Sequence, residues 1–316
     1  MSPDAHRRPA RGPGSPSGAV PPSAARSAAA PPAAPPAAPR PAATSRDAGA
    51  PRRIRRRLAL RPDAAPAIAV ERIEGGGRGD VGVLFCGGFH SSMHGIKALA
   101  IEACCARLGL GCTRFDYRGH GESGGEAADF TLLDWLDDAL AVVDALDAAE
   151  PLVVVGSSMG AWLAVHLARR RPGRVRSLLL LAAAPDFLDE RLLASLGDEA
   201  RARLAAGEVV RLATPEDAAG YPLTRALIES GRHLALLAGD SPGTLHCPLA
   251  MLHGTADEVA PWERAFRLLE RVGGAEATLE LVKGAGHRLS GPAELARLSS
   301  LLERLCGAGG APVSAP

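Results

Sequence analysis

Three serines lie in the pattern Gly-x-Ser-x-Gly, in which small residues flank a possible nucleophile. Ser158 stands in GSSMG (156–160), between the apolar run LVVV and the helical pattern AWLAVHLARR. A strand, a sharp turn and a helix in this order expose a serine hydroxyl at the start of the helix. Ser123 and Ser241 match the pattern but do not lie between a strand and a helix. We therefore predict Ser158 as a nucleophile, the alternative being a glycine-rich turn with a structural role.

A serine hydroxyl attacks a carbonyl efficiently only when a base takes its proton and a carboxylate orients that base. Asp257 follows the apolar strand LAMLHG, and His287 follows the strand TLELV. The chain order of serine, aspartate and histidine differs from the order in the chymotrypsin and subtilisin folds. We predict His287 as the base and Asp257 as the orienting acid. The alternatives are Glu258 as the acid and a plain, exposed loop position for His287.

Acyl transfer by a serine also requires donors for the negative charge that develops on the carbonyl oxygen. One donor is the backbone N–H of the residue after the nucleophile, which is Met159. The second is predicted at Phe89, because Gly87 and Gly88 before it allow the backbone to approach closely. Two histidines and a cysteine near this loop do not have a recognised zinc spacing. The sequence therefore predicts neither a metal nor a cofactor.

From residue 67 onward, short β-branched runs alternate with longer stretches of helical period. The predicted strands span 67–73, 81–86, 112–116, 152–155, 176–181, 249–253 and 278–282. The predicted helices span 95–108, 131–146, 161–171, 262–272 and 292–306, the first of them with Ile96, Leu99 and Cys104 on its inner face. Such alternation predicts an α/β fold, a mostly parallel sheet covered by helices on both faces.

Residues 184–244 interrupt this alternation, and we predict that they form a helical cap over a ligand site. The segment contains short helical patterns with charged faces. A cap of this kind supplies apolar walls to a pocket. The expected wall residues are Phe187, Leu188, Leu192, Leu193 and Leu196. The substrate-contacting residues are otherwise unknown from the sequence.

The first 66 residues differ sharply in composition from the rest of the chain. They hold 12 Arg, no Lys, three Asp, 15 of the 26 Pro and no aromatic residue. A segment with so little apolar content does not offset its ordering entropy, so we predict a disordered tail over 1–66. The folded α/β domain is then expected over 67–307, with a disordered C-terminus over 308–316. A targeting role and nucleic-acid binding are the alternatives to a plain solvated tail.

Charge, hydropathy and cysteines bound the remaining possibilities. The formal net charge is +1, and no long apolar run predicts a membrane span. Six cysteines without CxxC spacing lie in apolar segments, which is typical of buried reduced thiols. We predict a cytoplasmic protein without a nucleic-acid partner. The alternative is a mitochondrial protein, if the Arg-rich tail is a transit peptide.

The serine turn and the order of serine, aspartate and histidine resemble the α/β-hydrolase superfamily. Within it, GFHSSMHGIKALAIE, CTRFDYRGHGESGG, TLLDWLDDAL and VVGSSMGAWLA resemble the branch of mitochondrial palmitoyl-protein thioesterases and acyl-glucuronide esterases and its bacterial homologues. LHGTADEVAPW and GAGHRLS continue the resemblance, which covers most of residues 80–305 and is looser across the cap. The resemblance implies Ser158, Asp257 and His287 as the catalytic residues. Gly87 departs from it, because relatives often carry His or Pro there.

These observations predict a serine hydrolase that cleaves acyl thioesters or carboxylic esters through an acyl-enzyme. The substrate is expected to be a small molecule or a protein-linked acyl group. A serine peptidase of the same fold and a catalytically silent binding protein are the alternatives.

Overall fold

The computed structural model describes residues 52–59, 66–76, 81–214, 217–238, 244–272 and 276–307. Outside the cap, the predicted strands and helices agree with the observed ones to within two residues at each end. The strands of this part of the chain are β1 Arg53–Leu58, β2 Ile68–Ile73, β3 Gly82–Cys86, β4 Gly111–Asp116, β5 Leu152–Ser157, β6 Val175–Leu181, β7 Val210–Thr214, β8 Asp217–Leu223, β9 Leu249–Gly254 and β10 Ala277–Val282. The helices are α1 Ile96–Leu108, α2 Leu132–Asp144, α3 Met159–Arg170, α4 Glu190–Ser195, α5 Asp198–Ala205, α6 Arg225–His233, α7 Trp262–Arg271 and α8 Pro292–Gly307.

Eight of these strands form one sheet, in the order β1-β2-β4-β3-β5-β6-β9-β10. Strands β1 and β2 run antiparallel to their neighbours, and the other pairs are parallel. Successive residues of β5 point to opposite faces, so Val154 packs with α2 and α3 while Val153 and Val155 pack with α1 and α8. The predicted α/β fold class, a mostly parallel sheet covered by helices on both faces, is confirmed.

The predicted inner face of the first helix is wrong in part. Ile96 and Leu99 are 61% and 44% exposed, whereas Ala98, Ile101 and Cys105 of α1 are buried. Apolar residues occupy positions all around this helix, so their spacing did not distinguish the face that meets the sheet.

The predicted tail boundary at residue 66 is also wrong, because residues 53–58 form β1 at the edge of the sheet. Alternate arginines of this strand reach buried acids: Arg53 pairs with Glu71 and Glu102, and Arg55 pairs with Glu71. Glu71 and Glu102 also share the buried Arg114, so β1 adds positive charge to an acidic pair that one arginine alone does not balance. Composition did not predict this strand, since its partners lie far away in sequence. Residues 1–51 and 308–316 lie outside the described residues.

The cap is not purely helical. After α4 and α5, strands β7 and β8 form an antiparallel hairpin, and α6 follows it. Tyr221 and Leu212 pair across this hairpin, and Gly220 beside them has a positive φ of 77°. The two strands carry charged and small residues in place of a clean alternation, which is why the sequence predicted only short helices here.

Within the described residues, no helix has the length and apolar character of a membrane span. All six cysteines are free thiols, five of them buried and Cys306 partly buried.

We expect β1 to contribute to stability although the residues before it do not. A chain beginning at residue 52 should unfold at the full-length temperature. A chain beginning at residue 60 should lose about 1–3 kcal/mol, because Glu71 and Glu102 lose Arg53 and Arg55 and share the single Arg114. Differential scanning calorimetry of the two chains measures this difference.

The charge contribution is separable from the strand pairing. The double substitution Arg53→Gln with Arg55→Gln in the full chain should reproduce much of the loss, while Arg56→Gln on the same strand should not. Equal unfolding temperatures for the chains beginning at 52 and 60 would contradict this account.

Candidate active site

Ser158 lies on the turn between the end of β5 and the start of α3. Its backbone has φ 55° and ψ −115°, a region that costs a non-glycine residue about 1–3 kcal/mol. The turn is so tight that a Cβ at Gly160 would collide with the carbonyl oxygens of Cys86 and Gly87. Gly160 therefore lets the serine turn contact the β3 loop, and Gly156 lets the end of β5 approach Gly160 and Ala161 in the first turn of α3.

The ends of β9 and β10 bring the other two predicted residues to this serine. His287 Nε2 lies 2.9 Å from Ser158 Oγ, and His287 Nδ1 lies 2.8 Å from Asp257 Oδ2. The three residues are 99 and 30 positions apart in sequence. The structure thus brings together the predicted nucleophile, base and acid in one hydrogen-bonded chain.

Asp257 is 6% exposed, and its surroundings favour the ionised carboxylate. Burial raises the pKa of this carboxyl group, but hydrogen bonds from His253 and His287 and the electrostatic interaction with the His287 ring lower it. The backbone N–H of Ala260 donates to Oδ1 at 2.8 Å and lowers the pKa further. The net result is a pKa well below the ordinary value, so the carboxylate stays charged at neutral pH.

His253 is a contact of this carboxylate that the sequence did not indicate. It is fully buried at the end of β9, and its Nε2 lies 3.1 Å from Asp257 Oδ2 and 2.8 Å from the carbonyl oxygen of Ala260. Its position four residues before Asp257 was the available signal. A strand followed by one tight turn brings these two positions together.

The two predicted oxyanion donors lie on either side of the serine turn. Met159 is the first residue of α3, where backbone N–H groups have no intrahelical acceptor, and the N-cap Ser158 makes no side-chain cap. Phe89 follows the loop glycines, and a Cβ at Gly88 would be 3.3 Å from Ser158 Cβ. The Phe89 ring packs against Trp135, Phe187 and Tyr221 at centroid distances of 5.3–6.0 Å. This packing fixes the loop beside the serine.

A cavity of about 820 Å³ opens above Ser158 and His287. One side is formed by apolar and aromatic residues of the cap, among them Phe187, Leu192, Leu212, Tyr221 and Leu223. The other side is formed by the loop before α1, the first turn of α1 and the residues after His287. The cavity is therefore mostly apolar toward the cap, and toward α1 it carries the cations Lys97 and Arg288 beside the apolar Ile96 and Ala98.

Of the five predicted wall residues, two line the cavity. They are Phe187 and Leu192. Leu188 and Leu196 are buried in the main core, and Leu193 packs against it. The remaining cap walls come from the hairpin that the sequence did not predict.

The competing residues have other surroundings. Ser123 Oγ donates to the carbonyl oxygen of Asp116 at 2.5 Å and accepts from the N–H of Ala69 at 2.8 Å, so it ties two strands together. Ser241 lies outside the described residues. Glu258 is exposed and does not contact His287 in the described part of the chain. No group of three or more metal-binding side chains is arranged around a common point there.

A serine on the turn after a central strand, with an aspartate and a histidine after two later strands, is typical of one class of enzymes, the α/β hydrolases. A model of the alpha/beta hydrolase family matches residues 83–298, so the chain belongs to this family of hydrolases.

Individual proteins similar to this chain have names that are more specific than the family description. The chain is 34% identical over 246 residues to the mitochondrial palmitoyl-protein thioesterase ABHD10 of Homo sapiens, covering 78% of each chain. The structure of a putative hydrolase from Agrobacterium vitis S4 is 34% identical, with a TM-score of 0.74 over 81% of this chain and 99% of that one. The structure of α/β hydrolase domain-containing protein 10 from mouse is 32% identical, with a TM-score of 0.71 over 80% and 98%.

The backbone strain at Ser158 predicts a measurable effect on stability. Ser158→Gly should be more stable than Ser158→Ala by about 1 kcal/mol, because glycine adopts this φ and ψ without cost. Both variants lose the hydrogen bond to His287, so the comparison isolates the backbone. Urea unfolding of the two variants measures the difference, and an alanine variant of equal or greater stability would contradict the strain.

Proposed function

We propose that this protein is a serine hydrolase that cleaves acyl thioesters or carboxylic esters through an acyl-enzyme. The observation that carries the proposal is the hydrogen-bonded chain from Asp257 through His287 to Ser158 at the base of an 820 Å³ cavity. The names of the thioesterase relatives support the same reaction class.

In the proposed reaction, Ser158 Oγ attacks the acyl carbonyl carbon while His287 Nε2 takes the hydroxyl proton. The N–H groups of Met159 and Phe89 hold the oxygen on which negative charge develops. The intermediate collapses, the bond to sulfur or oxygen breaks, and His287 returns the proton to the leaving group. Water then repeats the sequence on the acyl-enzyme and releases the acid.

Asp257 acts by its charge and its hydrogen bond. The depressed pKa of its carboxyl group keeps it ionised when the neighbouring imidazole becomes positive. Its hydrogen bond to His287 Nδ1 selects the tautomer in which Nε2 accepts the serine proton.

The acyl chain is proposed to occupy the cap side of the cavity. Phe187, Leu192 and Tyr221 offer an apolar wall there, which suits a hydrocarbon chain and provides few partners for a peptide backbone. The four catalytic and donor segments all come from one chain, so the reaction needs no second subunit. We expect no cofactor and no nucleic-acid partner.

The cellular location remains a prediction. The cytoplasm is the first expectation, and mitochondria are the alternative, which the names of the mitochondrial mammalian relatives support. Residues 1–51, where a transit peptide would lie, are outside the described residues.

A fluorophosphonate should label Ser158 alone. The hydroxyl of Ser123 is held by two backbone groups and faces no base in the described chain. Peptide mapping by mass spectrometry after labelling identifies the modified residue. Ser158→Ala should abolish labelling, and uptake at the wild-type rate by this variant would refute the assignment and favour a silent binding protein.

Asp257→Asn should lower kcat by about 10³–10⁴, as loss of the orienting carboxylate does in serine proteases. Glu258→Gln is the matched control, because this neighbouring carboxylate is exposed. The substitution should change kcat less than threefold. Steady-state hydrolysis of an octanoyl thioester measures both. A larger effect of Glu258→Gln would make Glu258 the acid.

Octanoyl and palmitoyl thioesters should be hydrolysed far faster than the matching amides, because a thiolate leaves with little help from His287. The same acyl chains on N-acetylcysteamine and on ethylamine provide the comparison. An amide cleaved as fast as its thioester would turn the assignment toward a peptidase.

A further inference from the structure

The polar side of the active-site cavity is not used by the mechanism above. Its polar lining residues are Ser91, Ser92, Lys97, Arg288 and Ser290, and the apolar Ile96 and Ala98 lie among them. The cap side is proposed to hold the acyl chain, so the polar side is where the other half of a substrate must lie. The charges on this side therefore bear on the leaving group.

Lys97 is the more constrained of the two cations. It is one of two lysines in a chain with 34 arginines. Its ammonium donates to the carbonyl oxygen of Arg288 at 2.5 Å, and no carboxylate of the described residues forms an ion pair with it. Burial lowers the pKa of Lys97 to about 8, and the charge of Arg288 acts in the same direction. The charge of the nearby Asp257 opposes this shift only in part. A partly buried ammonium with one carbonyl partner has donors left for an anion.

Arg288 follows His287 directly and lines the same cavity with an exposed side chain. It forms no ion pair with a carboxylate of the described chain. Arg264, on the cap side, differs: it pairs with Asp189 at 2.7 Å and donates to two backbone carbonyls. One cavity arginine is thus neutralised, while the other is open to a ligand.

The first turn of α1 adds to the positive field on this side. The N-cap is Gly95, no side chain caps the helix, and no acidic residue lies in the first turn. Gly95, Ile96 and Lys97 all line the cavity. The positive end of the helix dipole therefore reinforces the two side chains. Two carboxylates line the cavity: Asp189, which pairs with Arg264, and Glu258, which opposes the two cations.

The chemistry of acyl transfer places the leaving group on the same side. His287 must return a proton to the departing sulfur, so that atom lies within hydrogen-bond reach of Nε2. Arg288 is the next residue, and Lys97 is bonded to its carbonyl oxygen. A negative group a few bonds from the sulfur would therefore lie near these cations.

We propose that Lys97 and Arg288, aided by the N-terminus of α1, form a binding site for a carboxylate or phosphate on the leaving group of the substrate. This inference rests on the proposed thioester hydrolysis. It identifies the preferred substrates as acyl thioesters of anionic thiols, with Lys97 as the main specificity residue.

A matched pair of substrates tests the site. S-Octanoyl-N-acetylcysteine and S-octanoyl-N-acetylcysteamine share the acyl chain and differ by one carboxylate. Octanoyl-coenzyme A adds a third arm, in which the negative charge comes from phosphates. The quantity measured is kcat/KM for each anionic thioester divided by kcat/KM for the neutral one. Failure to hydrolyse any of the three thioesters would refute the proposed thioester hydrolysis. A ratio that does not depend on Lys97 or Arg288 would refute only the anion site.

Lys97→Gln should lower this ratio about 5–20-fold, since it removes a hydrogen bond to a charged group, while leaving hydrolysis of the neutral thioester within about threefold. Lys97→Arg should restore most of the ratio. Arg288→Gln keeps the backbone carbonyl that Lys97 binds, and should lower the ratio about 2–5-fold. Glu258→Gln should raise it.

The outcomes are distinct. A fall for N-acetylcysteine and coenzyme A together supports a general anion site, and a fall for one alone assigns the site to carboxylate or to phosphate. An equal loss on neutral and anionic thioesters in Lys97→Gln would overturn the proposal, because it would mean that Lys97 only holds the loop of His287. A wild-type ratio that does not change in any of the variants would overturn it as well.

Discussion

The contact on which the site depends is the one between the β3 loop and the first turn of α3. Cys86 pairs with Gly156 in register, so the ends of β3 and β5 stop side by side. Only a glycine at position 160 lets the Cys86 and Gly87 carbonyls approach the helix. Ser158, on the turn between these segments, has a positive φ of 55°, and the loop of Gly88 lies against it. The positions of the predicted nucleophile and of the predicted oxyanion donors thus follow from backbone geometry.

Much of this arrangement was accessible from the sequence, because it is encoded locally. Glycines at 156 and 160 mark the turn, the β-branched run before them marks the strand, and the chain order of Ser158, Asp257 and His287 follows from strand ends. Parallel strands bring their carboxyl ends to one edge of the sheet, so residues 129 positions apart meet without any local signal of contact. The roles assigned to these residues remain predictions.

The features that the sequence did not yield depend on partners remote in the chain. The composition of residues 53–58 predicts a basic tail. These residues form strand β1 because the buried Glu71 and Glu102 lie beside it. The face of α1 is decided in part by Glu102, a buried carboxylate that composition would place outside. His253 is a different case: it contacts Asp257, four residues later, because the turn after β9 folds back. In the first two cases a charged group is buried against a partner far away in the chain.

The two sides of the cavity originate in different parts of the fold. The apolar side belongs to the insertion between β6 and β9, which is held to α7 where Arg264 contacts the segment around Asp189. The polar side belongs to α1 and the turn before α8, elements that pack on the sheet itself. Changes in the cap therefore alter the apolar side of the cavity without moving His287, whose position follows from β10. Changes on the polar side alter the surroundings of Lys97 and Arg288 and leave the cap walls as they are.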